Sequence, residues 1–302
     1  MSREAPAPQT VAELVPPSLV AEVRRIELKT RRSMNAETLG AYRSAFRGSG
    51  LTFADLRAYA PGDEIKNIHW KATARTGKVQ VKTFEEERQL SIIVAVDTSP
   101  STLFGKDRRN LHKGVQFAAL MALLARSSGD AFGLCLFGDT VTSYTPPARR
   151  RSQVQQALLT LLSVRPSTGG TAIGAALRHI HERQRRPAVV FVVSDFVAPP
   201  FSDDLGLLAL RHDVVCVALR DELDHTLPNA GLVLFKDPES GRSAVIDTSS
   251  PKVRRALTRA EETRRETLRR DCRRLGASLI EIDEDPLSPL RALMEKRATR
   301  RG

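Results

Sequence analysis

Three oxygen-bearing side chains alternate in the stretch SIIVAVDTSPS, residues 91–101: Asp97, Ser99 and Ser101. The unbroken apolar run from Ile92 to Val96 stops at the carboxylate. Such a run reads as a buried strand, and in an open α/β sheet ligands gather beyond the carboxyl ends of strands. A chain turning at that point can converge a carboxylate and two hydroxyls, a hard-oxygen set suited to a small divalent cation. A surface turn or a cap for the following helix has the same spacing, so DxSxS alone does not decide.

Two later stretches add to the set. TGGTAIGAAL, residues 168–177, places Thr171 after a glycine turn at a helix start, and FVVSDF, residues 191–196, places Asp195 at the end of another apolar strand. All five groups then fall on loops at one edge of the expected sheet. In this order they resemble the metal-ion-dependent adhesion site of von Willebrand factor A domains. The resemblance implies that the Ser99, Ser101 and Thr171 hydroxyls ligate Mg²⁺ (or Mn²⁺) directly, with Asp97 and Asp195 acting through water or switching between shells. It also implies a coordination position left open for a partner's Asp or Glu. Neutral hydroxyls leave such an ion under-neutralised and receptive to an external carboxylate.

The elements needed to hold these groups are legible. Strand 90–96, helix 109–127, strand 131–137, a hairpin at 140–145 and helix 151–163 follow one another. Then come helix 172–184, strand 188–194, helix 202–211, strand 213–219, helix 251–275, strand 277–282 and a last helix near 286–297. Runs such as AVVFVV and DVVCVAL are apolar without alternation, as a sheet covered on both faces requires. The expected fold is α/β: a doubly wound, mostly parallel sheet of von Willebrand factor A type over 88–298, preceded by a smaller N-terminal α+β module. LVLFKDPESGRSAVID, residues 232–247, reads as a further hairpin turning near Pro238–Gly241.

Upstream, residues 1–16 are rich in Pro and Ala and read as mobile, and a helix is expected from Pro17. The module 17–87 turns irregular after Gly48, with Pro61-Gly62 as a turn and Arg75-Thr76-Gly77-Lys78 as a hairpin tip before VQVKTF. Its stretch GSGLTFADLRAYAPGDEIKNIHWKATARTGKVQVKTFEEE resembles the signature of the bacterial family called domain of unknown function 58. The matching positions are Phe53, Arg57, Tyr59, Gly62, Asp63, Ile68, Trp70, Ala74, Arg75, Gly77 and Glu87; His69 stands where the family often has Asp. Family members carry a von Willebrand factor A-like domain directly afterwards. The resemblance implies a cytoplasmic, chaperone-like partner of a MoxR-type AAA+ ATPase, acting in assembly of, or metal insertion into, a client complex.

Composition bounds the alternatives. In 302 residues, Lys plus Arg number 47 against 35 Asp plus Glu, a formal charge of +12 that attracts acidic surfaces. Nucleic-acid binding is therefore a second reading, centred on the Arg-rich helix 252–274. That helix is interleaved with Glu261, Glu262, Glu266 and Asp271, and no aromatic series accompanies it. Val253, Leu257, Leu268 and Cys272 are expected to face inward. A third reading, a metal-dependent hydrolase, needs a general base that the sequence does not supply. Neither serine lies in GxSxG and no GxxxxGK[ST] loop is present, so no catalytic residue is assigned. Cys135, Cys216 and Cys272 are too widely spaced for a thiol zinc site. No run of about 18 apolar residues crosses a bilayer. Asp63 is expected to pair with Arg57 or Arg75, and Trp70 to anchor the module by packing.

Overall fold

The computed structural model describes residues 36–46, 51–86, 90–103, 109–164, 169–221, 229–236 and 243–301. The start expected to be mobile, the helix expected from Pro17 and the turn expected near Pro238–Gly241 lie outside them. Two compact units emerge: residues 46–90, and the rest of the chain.

In the smaller unit, β1 (Leu51–Ala58) pairs antiparallel with β2 (Gln80–Glu86), with a register irregularity between Phe53 and Asp55. Between them lies α2 (Trp70–Thr76), where the sequence reading placed a hairpin tip. The left-handed Gly77, at φ 70°, ends that helix instead, since one positive-φ glycine serves a helix C-cap as well as a hairpin turn. His69 caps the other end: its Nδ1 accepts from the Ala72 amide at 3.0 Å. This is the work of an N-cap Asp, which explains how a histidine occupies that place. Asp63 takes both arms of the Arg57 guanidinium and the Ala60 amide, so that its carboxyl sits below the usual range, the Arg57 hydrogen bond being the main cause. That turn is fixed as expected. Trp70, at the start of α2, is 65% exposed.

The larger unit begins with α1 (Ala36–Ala45), which the sequence reading had grouped with the module. Within this unit Tyr42 is fully buried and donates to Asp130 at 2.9 Å. The sheet order is β10-β7-β6-β3-β4-β5, built from β3 (Ser91–Asp97), β4 (Ala131–Phe137), β5 (Val141–Ala148), β6 (Val189–Ser194), β7 (Asp213–Leu219) and β10 (Ser278–Ile282). All neighbours are parallel except β4 and β5, which form the expected hairpin. Helices α3 (Arg109–Ser128), α4 (Arg151–Leu162), α5 (Ile173–Arg183), α6 (Ser202–Ala209), α7 (Pro251–Arg274) and α8 (Leu287–Arg301) complete it. α8 also packs against α1, where Arg291 donates to the Thr38 hydroxyl at 2.7 Å.

Alternate strand residues serve opposite faces. Ile93, Ala95, Val190, Val192 and Cys216 meet Leu177, Leu205 and Leu268 from α5, α6 and α7. On the other face Gly114 of α3 lets that helix close on Val96, Val193 and Leu219. This is the doubly wound, mostly parallel von Willebrand factor A-like arrangement. β8 (Leu232–Lys236) and β9 (Ser243–Asp247) form a separate antiparallel pair. In α7, Leu268 and Cys272 are buried, whereas Leu257 is 39% exposed, contrary to expectation. In the first half of that helix Arg254 donates to the Thr248 and Ser249 carbonyls, and Glu261 reaches Arg220.

Candidate metal centre

The strand β3 ends at Asp97, and parallel pairing fixes what lies beside it. On one side Phe137 of β4 is its register partner, and the Phe137 carbonyl accepts from both the amide and the hydroxyl of Thr98, at 2.7 and 2.9 Å. On the other side β6 ends at Ser194, whose hydroxyl donates to Asp97 Oδ2 at 2.6 Å. Asp97 Oδ1 accepts from the Ser99 amide at 2.9 Å, folding the chain back in an Asx turn. Thr102 closes the following short turn by donating to the Ser99 carbonyl at 2.7 Å. The turn brings Ser99 Oγ and Ser101 Oγ within 2.9 Å of each other.

Asp195 follows directly on β6. Its Oδ1 accepts from the Val197 amide at 2.9 Å, and the intervening Phe196 takes a left-handed φ of 58°. For a bulky residue this conformation costs of order 1–3 kcal/mol, and something must over-determine it. Here the ring is buried, at 5% exposure, and packs on Phe201 with centroids 5.7 Å apart, while its amide donates to Ser194 Oγ at 2.9 Å. Thr171 is buried just before α5. Its loop is pinned to the end of β4 by the Ala172 amide, which donates to the Gly138 carbonyl at 2.7 Å. Gly169, at φ 123°, starts that approach, and a Cβ there would stand 2.8 Å from Asp139 Oδ2.

All five residues singled out in the sequence thus come to the carboxyl edge of the sheet, on the adjacent ends of β4, β3 and β6, and all are buried. Ser194, Thr98 and Thr102, which shape the site from behind, were not singled out. Ser194 was detectable as the residue one register step from Asp97 on a neighbouring strand.

The electrostatics are those of crowded anions. Burial first, then the nearby Asp195 carboxylate, push the Asp97 carboxyl up to about 7, against the hydrogen bonds from Ser194 and Ser99. No cationic side chain is among the groups that set it. The donor chemistry fits Mg²⁺: two ligands on adjacent corners of an octahedron of 2.0–2.1 Å bonds stand about 2.9 Å apart. Ser99 Oγ and Ser101 Oγ already have that separation. Among the described residues no group of three or more His, Cys, Asp or Glu is placed to hold a metal, so any ion here relies on hydroxyls. Each of the two serine hydroxyls has the other as partner, and neither is paired with a histidine that would activate it.

Part of the charge on the Arg-rich helix is paired: Arg264, Arg265, Arg269 and Arg274 each meet a carboxylate. Arg220, only 1% exposed, reaches Glu261 at 3.0 Å and Glu281 at 3.5 Å. Arg265 and Arg269 converge on the same Glu281. Burial acts to raise the Glu281 carboxyl, but the guanidiniums outweigh it and hold it below the usual range. Among the described residues no helix is long and apolar enough to cross a membrane.

A family model described as "Protein of unknown function DUF58" matches residues 55–267. The uncharacterized protein Rv1480 of Mycobacterium tuberculosis is 29% identical over 278 residues, covering 89% of this chain and 86% of that protein. Of solved structures, the conserved hypothetical protein BatB from Bacteroides thetaiotaomicron aligns at 17% identity and a TM-score of 0.45, over 70% of this chain and 99% of that one. Proximal thread matrix protein 1 from the mussel byssus, with a zinc-occupied MIDAS motif, aligns at 18% identity and a TM-score of 0.35, over 43% and 38%.

Proposed function

We propose that this chain, which belongs to the DUF58 family, is a Mg²⁺-dependent protein-interaction module. Ser99, Ser101 and Thr171 would hold the ion by their hydroxyls, with Asp97 and Asp195 supplying the charge. The observation that supports this most directly is the buried, cation-free Asp97 beside two serine oxygens already at octahedral spacing. When bound, the ion supplies a Lewis-acid position for a carboxylate from outside. The chain's own contribution is rigidity: Ser194, Thr98 and Thr102 fix the turn, so the ligands need little reordering on binding.

The partner that fits is a protein offering an Asp or Glu, and the reading extends to a MoxR-type AAA+ ATPase or its client, with this chain as adaptor in assembly or maturation. The ion pairs that occupy Arg264, Arg265, Arg269 and Arg274 weigh against the alternative of nucleic-acid binding through that helix. The test is calorimetric titration of the EDTA-stripped protein with Mg²⁺ and Mn²⁺ beside Asp97→Ala, followed by capture of the candidate ATPase with and without EDTA. Saturable binding lost in the variant, and capture lost in EDTA and in Thr171→Ala, is the expected result. Equal capture by all proteins in EDTA refutes it.

A further inference from the structure

Away from the metal centre, three strands along the sheet, a cleft of about 470 Å³ opens between the last turns of α7, the edge strand β10 and α8. Its volume lies in the range of small-molecule sites. The lining is divided in kind. Leu279, Leu293, Ala277 and the buried Cys272 present apolar surface, while Arg269, Arg273, Lys296 and Arg297 present four cations against the single carboxylate of Glu281.

Two of the cations are held in place. Arg297 forks onto Asp213 at 2.6 and 2.8 Å and also donates to Ser278 Oγ at 2.8 Å, and Arg269 donates to Glu281 at 3.0 Å. The other two, Arg273 and Lys296, have no hydrogen bond or ion pair among the described residues. Their position near the carboxyl ends of α7 and α8 explains why cations are favoured there. It does not account for a cleft of mixed lining between them.

We propose that this cleft binds an amphipathic organic anion, with a phosphate or carboxylate head between Arg273 and Lys296 and an apolar body against Leu279 and Leu293. Charge-assisted hydrogen bonds from Arg273 and Lys296 fix the head, while Arg269 and Arg297, paired with Glu281 and Asp213, form a fixed wall of the cleft. The site gives the Arg-rich helix a role separate from the metal centre, and nothing in it depends on a metal.

The probes are octyl phosphate and octanoate, with octan-1-ol and inorganic phosphate as the body-only and head-only controls, titrated below their aggregation limits by calorimetry into the full chain. Saturable binding of either anion at one site per chain, at least about tenfold tighter than both controls, is expected. The double substitution Arg273→Glu with Lys296→Glu removes it; both residues are exposed, and a retained circular dichroism spectrum and melting temperature establish that the variant folds. A milder pair, Arg273→Gln with Lys296→Gln, weakens binding by an intermediate factor. Octanol binding as tightly as the anions, absence of saturable binding by both anions, or affinity unchanged in the charge-reversed variant each overturns the proposal.

Discussion

Replacing Asp97 by Asn isolates the electrostatic stress of the metal centre. The carboxyl rises from an ordinary 3.8 to about 7 on folding, so the folded chain keeps a proton that the unfolded chain has released. The stabilisation from that proton is fully present below about pH 4 and is lost as pH rises to 7. About three pH units at about 1.4 kcal/mol each give a loss of about 4 kcal/mol, an order-of-magnitude figure for a buried carboxyl. His212 runs the other way. Burial, then Arg211 and His181, lower its imidazole to about 4, so stability gained from keeping it neutral is lost as pH falls from 6.5 to 4. The two slopes partly cancel in the natural protein, and only the difference between it and Asp97→Asn reports Asp97. In EDTA the variant should gain about 3 kcal/mol on the natural protein between pH 4.5 and pH 8. The assay is urea denaturation followed by far-ultraviolet circular dichroism, because the single Trp70 lies in the smaller unit and reports on that unit. Added Mg²⁺ should restore stability to the natural protein at pH 8 and leave the variant unchanged, since a ligand of the folded state alone stabilises it. Parallel pH profiles for the two proteins in EDTA would refute the reasoning.

Other substitutions probe the frame. Glu281→Ala leaves Arg220 buried with Glu261 as its remaining carboxylate and should cost about 3–5 kcal/mol by chemical denaturation, with Arg220→Met much milder because it removes the buried charge as well. His69→Ala should destabilise the smaller unit by about 1 kcal/mol, read from Trp70 fluorescence, and His69→Asp should restore it. His212→Leu removes the opposing acid-side slope and should raise the melting temperature at pH 4.5, relative to that at pH 7, above the same difference in the natural protein.

The larger unit was legible because its strands announce themselves. IIVAV, AFGLCLF and VVFVVS have no polar alternation to confuse a helix with a strand, and their ends place Asp97 and Asp195 without further information. Thr171 needed the glycine turn before it. The smaller unit was less legible for a physical reason: Gly77 and its neighbours carry a signal shared by helix ends and hairpins, and the seven-residue α2 is too short to show periodicity. Helix α1 was not legible in the sequence because the partners that hold it, Asp130 and Arg291, are 88 and 253 residues away from Tyr42 and Thr38. Leu257 stays exposed on a part of α7 whose Glu261 reaches the buried Arg220, and a count of leucines cannot foresee that ion pair.

The left-handed Phe196 bears on how portable the metal centre is. Its ring is seated in the core against Phe201, and that seat holds the backbone turn carrying Asp195. Loop grafting that moved residues 97–101 and 195–197 onto another sheet would transfer the oxygens but not the seat. An acceptor scaffold has to offer a cavity for an aromatic ring one residue beyond the strand end, or the two carboxylates will relax apart. For the same reason, a small residue at Phe201, which is not among the proposed ligands, would loosen the site as a change in a ligand would.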